Sequence, residues 1–210
     1  MLQTLLHTIW VNVTNSTKIQ ATSNQFKTSI TPSEETFSIW GFIYDRLLRF
    51  ALSPVSRSAM VIALFDESCQ SNRQWVHAFV QCDWVACQAH LYALKRSLRL
   101  LRTASTCGDE RHLFDVYTTW VSCAISIQDE IALRYSNKRG RDCNRGFSKL
   151  CRQLHRPTNN QSKRGVYGWL LQGLASKLTA SQIRRLPRAY RNGLTLTNGK
   201  MPLSHYLAPK

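Results

Sequence analysis

The chain has 210 residues, with 28 Lys plus Arg against 12 Asp plus Glu and a net charge of +16 at pH 7. Only 19% of it is charged and 43% is apolar, so a disordered polyelectrolyte and a large multidomain enzyme are both excluded. What remains is one folded, basic protein with a core of its own.

Residues 1–13 are apolar and uncharged, and residues 14–35 are rich in Ser, Thr, Asn and Gln. The latter end in Thr31-Pro32-Ser33-Glu34-Glu35, where an early proline and first-turn acids predict a helix start near Pro32. The helix is expected to run to about Leu52, before Pro54, burying Phe37, Trp40, Ile43, Tyr44, Leu47, Leu48 and Ala51, which recur at spacings of three and four. A short helix over 58–65 should then break at 66–72. A long helical segment is predicted for 75–101, with Lys95, Arg96, Arg99 and Arg102 gathered at its negative end. After a turn at Gly108, residues 112–135 repeat the helical pattern through Phe114, Tyr117, Trp120, Val121, Ala124, Ile127 and Ile131. Residues 136–165 are the most polar stretch, short helices are predicted at 166–178 and from Ser181 to Pro187, and the remainder reads as an extended tail.

Acids and bases balance over residues 1–133, whereas residues 134–210 hold 17 Lys/Arg and one acid, Asp142. The asymmetry predicts a neutral aromatic-rich body at 1–133 and a basic module at 134–210 drawn to phosphates of nucleic acid or of a lipid surface. Candidate anion-binding residues are Lys138, Arg139, Arg141, Arg145, Lys149, Arg152, Lys163 and Arg164, then Arg184, Arg185, Arg188 and Arg191. Phe147, Tyr167 and Trp169 are interleaved with them and suited to stack on bases. A juxtamembrane polybasic segment has the same composition.

No twenty-residue window is free of charge; 74–94 is interrupted by Asp83 and 112–128 by Asp115. A charge at a helix centre costs roughly 3 kcal/mol on insertion scales, so hydropathy alone predicts a soluble helical protein. Seven cysteines without a CxxC pair, and an N-terminus without a basic leader region, predict a reducing compartment. Cys82, Cys87 and His90, or Cys143, Cys151 and His155, do not have the spacing of a structural zinc site, and no metal is expected. His77 and His90 are read as packing residues rather than haem ligands. No paired acids, Gly-rich phosphate loop or activated nucleophile points to catalysis.

The run Val11–Tyr44, VNVTNSTKIQATSNQFKTSITPSEETFSIWGFIY, resembles the start of the first core helix in the translocator protein family, also called tryptophan-rich sensory proteins (TspO/MBR). The matching positions are the Val-Asn start, Thr31-Pro32, and Phe37-Ser38-Ile39-Trp40-Gly41 with Ile43-Tyr44. Asn72-Arg-Gln-Trp75-Val-His-Ala-Phe79 is similar to the family's Asn-x-x-Trp-x-x-x-Phe/Trp segment, with Trp84 close behind. Phe114-Asp-Val-Tyr117-Thr-Thr-Trp120-Val-Ser-Cys-Ala124 resembles its Pro-Phe-Ser-x-Tyr-x-x-Trp-x-x-x-Ala helix, with Leu113 in place of the proline and Gln128 in place of a later asparagine.

The resemblance covers residues 11–133 and implies an all-α bundle of about five helices, often dimeric, whose aromatic-lined pocket accepts porphyrins or sterols, here with a basic C-terminal extension. Trp40, Tyr44, Trp75, Phe79, Trp84, Tyr117 and Trp120 are the candidate ligand-binding residues. Aromatic faces bury large apolar area and offer NH or OH groups to a propionate or hydroxyl; by spacing alone they read as core more readily than as a pocket. The expectation is a non-enzymatic, membrane-associated ligand-binding protein on the reducing side, with a mitochondrial location considered and a basic tail docking on an anionic surface. The alternative is an architectural subunit of a large mitochondrial or viral assembly, binding RNA or acidic protein through residues 134–210.

Overall fold

The computed structural model describes residues 1–28, 30–54, 57–136, 145–155, 160–174 and Arg184. Among these there are eight α-helices, a 3-10 turn and no strand, as the periodicity predicts.

Helix α1, Leu2–Thr14, turns Leu5, Thr8 and Val11 inward, and α2, Ser16–Gln25, follows after Asn15 with Thr22 as its buried residue. The predicted helix start near Pro32 is a 3-10 turn, Glu34–Ser38, which leads into α3, Ile39–Leu52. Tertiary bonding explains the tight start, because the Ser33 N–H donates to the carbonyl of Gly173 at 3.0 Å, at the far end of the described chain. Ile39, Ile43, Leu47 and Phe50 of α3 face the core. Asp45 and Arg49 pair at 3.0 Å on its outer side, with 51% and 71% of their side chains exposed, so that pair contributes little stability.

The expected break at 66–72 does not occur. Helix α4 runs unbroken over Ala59–Val80 because Phe65, Ser68, Cys69, Asn72, Val76 and Phe79 form one inward face, leaving Glu67 and Arg73 partly open to water. The predicted continuous segment 75–101 is instead cut at Gln81–Asp83. There the N–H of Cys82 donates to Phe79 and that of Asp83 to Ala78, closing the paired bonds of a Schellman cap with Cys82 left-handed at φ 58°. Asp83 then starts α5, Trp84–Ala104, by accepting from the Ala86 N–H at 3.0 Å.

Helix α6, Gly108–Ser136, opens with Asp109 and Glu110 at its positive end. Helix α7, Arg145–His155, lies in the most polar stretch of the sequence, where no helix is predicted; it forms because Leu150 and Leu154 bury one stripe against α6. Helix α8, Gln161–Leu174, covers part of the predicted 166–178 helix, buries Val166, Tyr167, Leu170, Leu171 and Leu174, and packs on α6 and the 3-10 turn. The helix predicted at 181–187 lies outside the described residues except for Arg184.

The packing contacts place α1, α4, α5, α6 and α3 in a closed ring in that order. The five main helices of residues 1–136 therefore enclose a single core, α2 lies across α4, and α7 and α8 are added to the outside of α6.

Candidate ligand-binding site

The aromatic residues singled out in the sequence form one continuous set of ring contacts across α3, α4, α5 and α6. Trp40 of α3 stacks on Tyr44 (centroids 5.6 Å, planes 23° apart) and on Trp75 of α4 (6.1 Å, 26°). Tyr117 and Trp120 of α6 meet the same indole edge-on at 5.8 and 6.3 Å. From Trp75 the contacts continue to Phe79 at 5.5 Å and then to Trp84 at 5.9 Å, whose other neighbour is Phe26. Ring geometries of this kind contribute about 0.5–1.5 kcal/mol each beyond area burial.

Trp40, Trp75, Phe79 and Trp120 line a small cavity of about 50 Å³, closed by Ile19 and Ser23 of α2, Thr31 and Phe37 of the following turn, and Ala124 and Gln128 of α6. Its chemistry is lopsided. The indole nitrogens of Trp75 and Trp120 and the amide nitrogen of Gln128 are buried with no hydrogen-bond partner, so three donors belong to residues around one apolar space. Each unmet donor costs about 1–3 kcal/mol.

Tyr44 and Tyr117 stand beside the cavity and join a polar hub. The fully buried Asn72 accepts from Asn12 at 2.8 Å and from the Tyr44 hydroxyl at 3.5 Å, and donates to the Tyr117 oxygen at 3.0 Å. Burial, first, and then their neighbours push both phenols above the ordinary tyrosine range. One amide thus ties α1, α3, α4 and α6 together and bonds the Asn of the Val-Asn start to the Asn of the Asn-x-x-Trp segment.

A family model described as TSPO-like protein matches residues 1–145. The chain belongs to the TSPO-like protein family. No curated protein and no solved structure matches it. Membership in the TSPO-like family implies a helical, membrane-associated protein, which hydropathy alone does not indicate; among the described residues, no helix is long and apolar enough to cross a membrane. The acids within or beside the apolar stretches of this TSPO-like chain have partners, Asp83 accepting from the Ala86 N–H at the start of α5. Asp115 pairs with Arg102 of α5 and accepts from Asn160, and Asp129 meets Gln88 of α5 and Lys149 of α7. Burial pulls the Lys149 ammonium pKa down, but its bonds to Asp129 and Tyr92 outweigh this and leave it raised.

The cationic residues picked from sequence divide into three groups. Lys149, Arg152 and Lys163 converge on one cleft beside α6. Arg164 and Arg184 are exposed, and Arg145 begins α7. Lys138, Arg139, Arg141, Arg185, Arg188 and Arg191 lie outside the described residues. Sequence reasoning missed Ile19 and Ser23 at the aromatic cavity, since nothing local marks them, whereas Ala124 closes the motif that begins at Phe114. Gln128 did carry a signal, as the position where the resemblance departs from asparagine.

Proposed function

We propose that this TSPO-like protein is a non-enzymatic, membrane-associated bundle that binds a planar hydrophobic ligand of the porphyrin or sterol class at the Trp40–Trp75–Trp120 site. The observation that carries the reading is the set of three buried, unpartnered donors, from Trp75, Trp120 and Gln128, around an aromatic-walled space. A ligand with an apolar face and an acceptor such as a carboxylate or carbonyl would satisfy both features. A space of about 50 Å³ is far below the roughly 300–1,000 Å³ of drug-sized sites, so binding requires the cavity to open. Helix α2 is the element suited to move, because it contributes Ile19 and Ser23 to the wall while Thr22 is its buried residue. Membrane contact is assigned to α1, whose outer Leu2, Leu6, Trp10 and Val13 are exposed in a segment with no charged side chain. Placement on the reducing side rests on Cys69, Cys82, Cys87, Cys107 and Cys123, which form no disulfide.

The test is a titration of the detergent-solubilised full chain with protoporphyrin, read by quenching of tryptophan fluorescence. Saturable quenching is expected, with affinity about tenfold weaker in Gln128→Leu at unchanged helicity, as for loss of one buried hydrogen bond. Equal affinity in that variant and in Trp40→Leu would overturn the site. Extraction without detergent, together with salt-sensitive RNA binding, would favour the architectural alternative, for which the 17 Lys/Arg of residues 134–210 speak.

A further inference from the structure

A larger cavity of about 520 Å³ opens on the other side of α6, between α5, α7 and α8, and its lining is cationic. Lys95 and Arg99 come from α5, Lys149 and Arg152 from α7, and Lys163 from α8. These five side chains come from three separate stretches of the chain, and two of them belong to the body that is neutral by sequence. Asp129 neutralises Lys149, but Arg99, Arg152 and Lys163 have no carboxylate partner among the described residues. Bringing like charges to one concave site is unfavourable unless a multivalent anion occupies it.

The polar groups between the cations narrow the chemistry. Thr118 and Ser122 of α6 line the same cavity, and the Thr118 hydroxyl is buried without a partner. Gln153 spends its amide N–H on the Ser126 hydroxyl at 3.3 Å, which leaves its carbonyl oxygen buried and unpaired. The site therefore offers cations and a hydroxyl donor for phosphate oxygens, together with one acceptor for a ligand hydroxyl. A second hollow shares Lys95 and Arg99 with the first and continues along the exposed Tyr92 and Leu100, giving an apolar border. The volume falls within the roughly 300–1,000 Å³ range of small-molecule sites, and a concave, multi-helix wall suits a compact ligand better than a polymer backbone.

We infer that the cleft between α5, α6, α7 and α8 binds a multiply phosphorylated polyol, either free or as the head group of a lipid. The cations hold the phosphates, Gln153 accepts from a polyol hydroxyl, and the Tyr92–Leu100 border accommodates glycerol and acyl carbons when the source is a lipid. This role is independent of the aromatic site, and it gives residues of α5 and α6 a part in anion binding that a purely C-terminal basic tail does not contain.

The experiment uses the full chain and two probes, inositol hexakisphosphate in solution and phosphatidylcholine vesicles containing phosphatidylinositol bisphosphate. Calorimetry and thermal shift should show saturable, salt-weakened binding to at least one probe. Arg99→Gln with Arg152→Gln should reduce it roughly tenfold or more, as expected for lost charge-assisted bonds. Arg46→Gln with Arg49→Gln, on the outer side of α3, should leave it unchanged. Binding to both probes identifies the phosphorylated polyol itself, and binding only to vesicles identifies the lipid; both support the site. Equal affinity in the cleft pair, equal loss in the α3 pair, or no binding to either probe would overturn it, as would complete displacement of the probes by single-stranded RNA at equal phosphate concentration. Lys163→Gln, on a different helix, is the second variant: it should also weaken binding, and an unchanged affinity would count against the site.

Discussion

Trp169, on the last described helix, donates its indole N–H to the backbone carbonyl of Thr36 at 2.9 Å. Thr36 lies in the turn that leads into the helix carrying Trp40, so the C-terminal part of the chain is fastened to the start of the aromatic site. The same two elements also approach closely at Gly173. A Cβ placed on Gly173 would stand 1.8 Å from the Thr36 hydroxyl oxygen, so only glycine allows α8 to lie this near the turn.

Gly173→Ala is accordingly expected to lower stability by about 1–3 kcal/mol, the usual range for overpacking a tight contact. Chemical denaturation checks it. Adding Thr36→Ala should return part of the loss, whereas strictly additive effects would show that the clash is not the cause.

Asn72→Leu should be among the most damaging single changes. It leaves the buried Tyr117 and Tyr44 hydroxyls without the partner they now share, while Asn12 keeps its bond to the Thr8 carbonyl. With about 1–3 kcal/mol for each stranded buried group, a loss on the order of 2–5 kcal/mol is expected. A double-mutant cycle with Tyr117→Phe should be non-additive, and additivity would sink the hub.

Alkali should destabilise the fold earlier than it ionises the buried groups. Burial raises Tyr44 and Tyr117 above the ordinary tyrosine value, and it pushes the thiols of Cys69 and Cys87 up to about 11 and about 12. In each case the folded state prefers the protonated form. The unfolded chain loses these protons first, so stability is complete below the unfolded thiol value of about 8.5 and declines as pH rises towards the folded values. Urea midpoints measured from pH 7 to pH 11 should fall steadily above about pH 8.5, and a flat profile would refute the assignment. At neutral pH, a thiol reagent should modify the exposed Cys107 before any of these.

Ala124→Val places two methyl groups against the aromatic cavity. Filling the void should raise the stability of the empty protein by up to about 1 kcal/mol while blocking the proposed ligand. Thermal melts and the porphyrin titration read the two effects separately; retained binding in this variant would move the ligand elsewhere.

The helical class and most of the aromatic site are legible in the primary structure because both depend on short-range spacing. Trp40 and Tyr44, Trp75 and Phe79, and Tyr117 and Trp120 stand three or four residues apart, which places each pair on one helix face in any helical fold. The helix boundaries were less legible. Polar residues at 66–72 resemble a break until Ser68 and Asn72 are seen buried and bonded, and the stop at Cys82 lacks the glycine that usually marks such a cap. Helix α7 carries its apolar stripe in a strongly basic segment, so composition hid what Leu150 and Leu154 reveal.

The order of residues by itself determined the all-helical class, the motifs that place the chain in its family, and the imbalance of charge between residues 1–133 and 134–210. Only the tertiary structure decided what those charges do. Asp115, which interrupts an apolar stretch of the sequence, and Asp129, just beyond that stretch, are compensated by Arg102, Asn160 and Lys149 from other parts of the chain, while Lys95 and Arg99 of the neutral body join the basic cleft. The reason is physical. Helical periodicity is a local property carried by neighbours a few residues apart, whereas the electrostatic environment of a side chain depends on which distant groups the fold brings within a few ångströms of it.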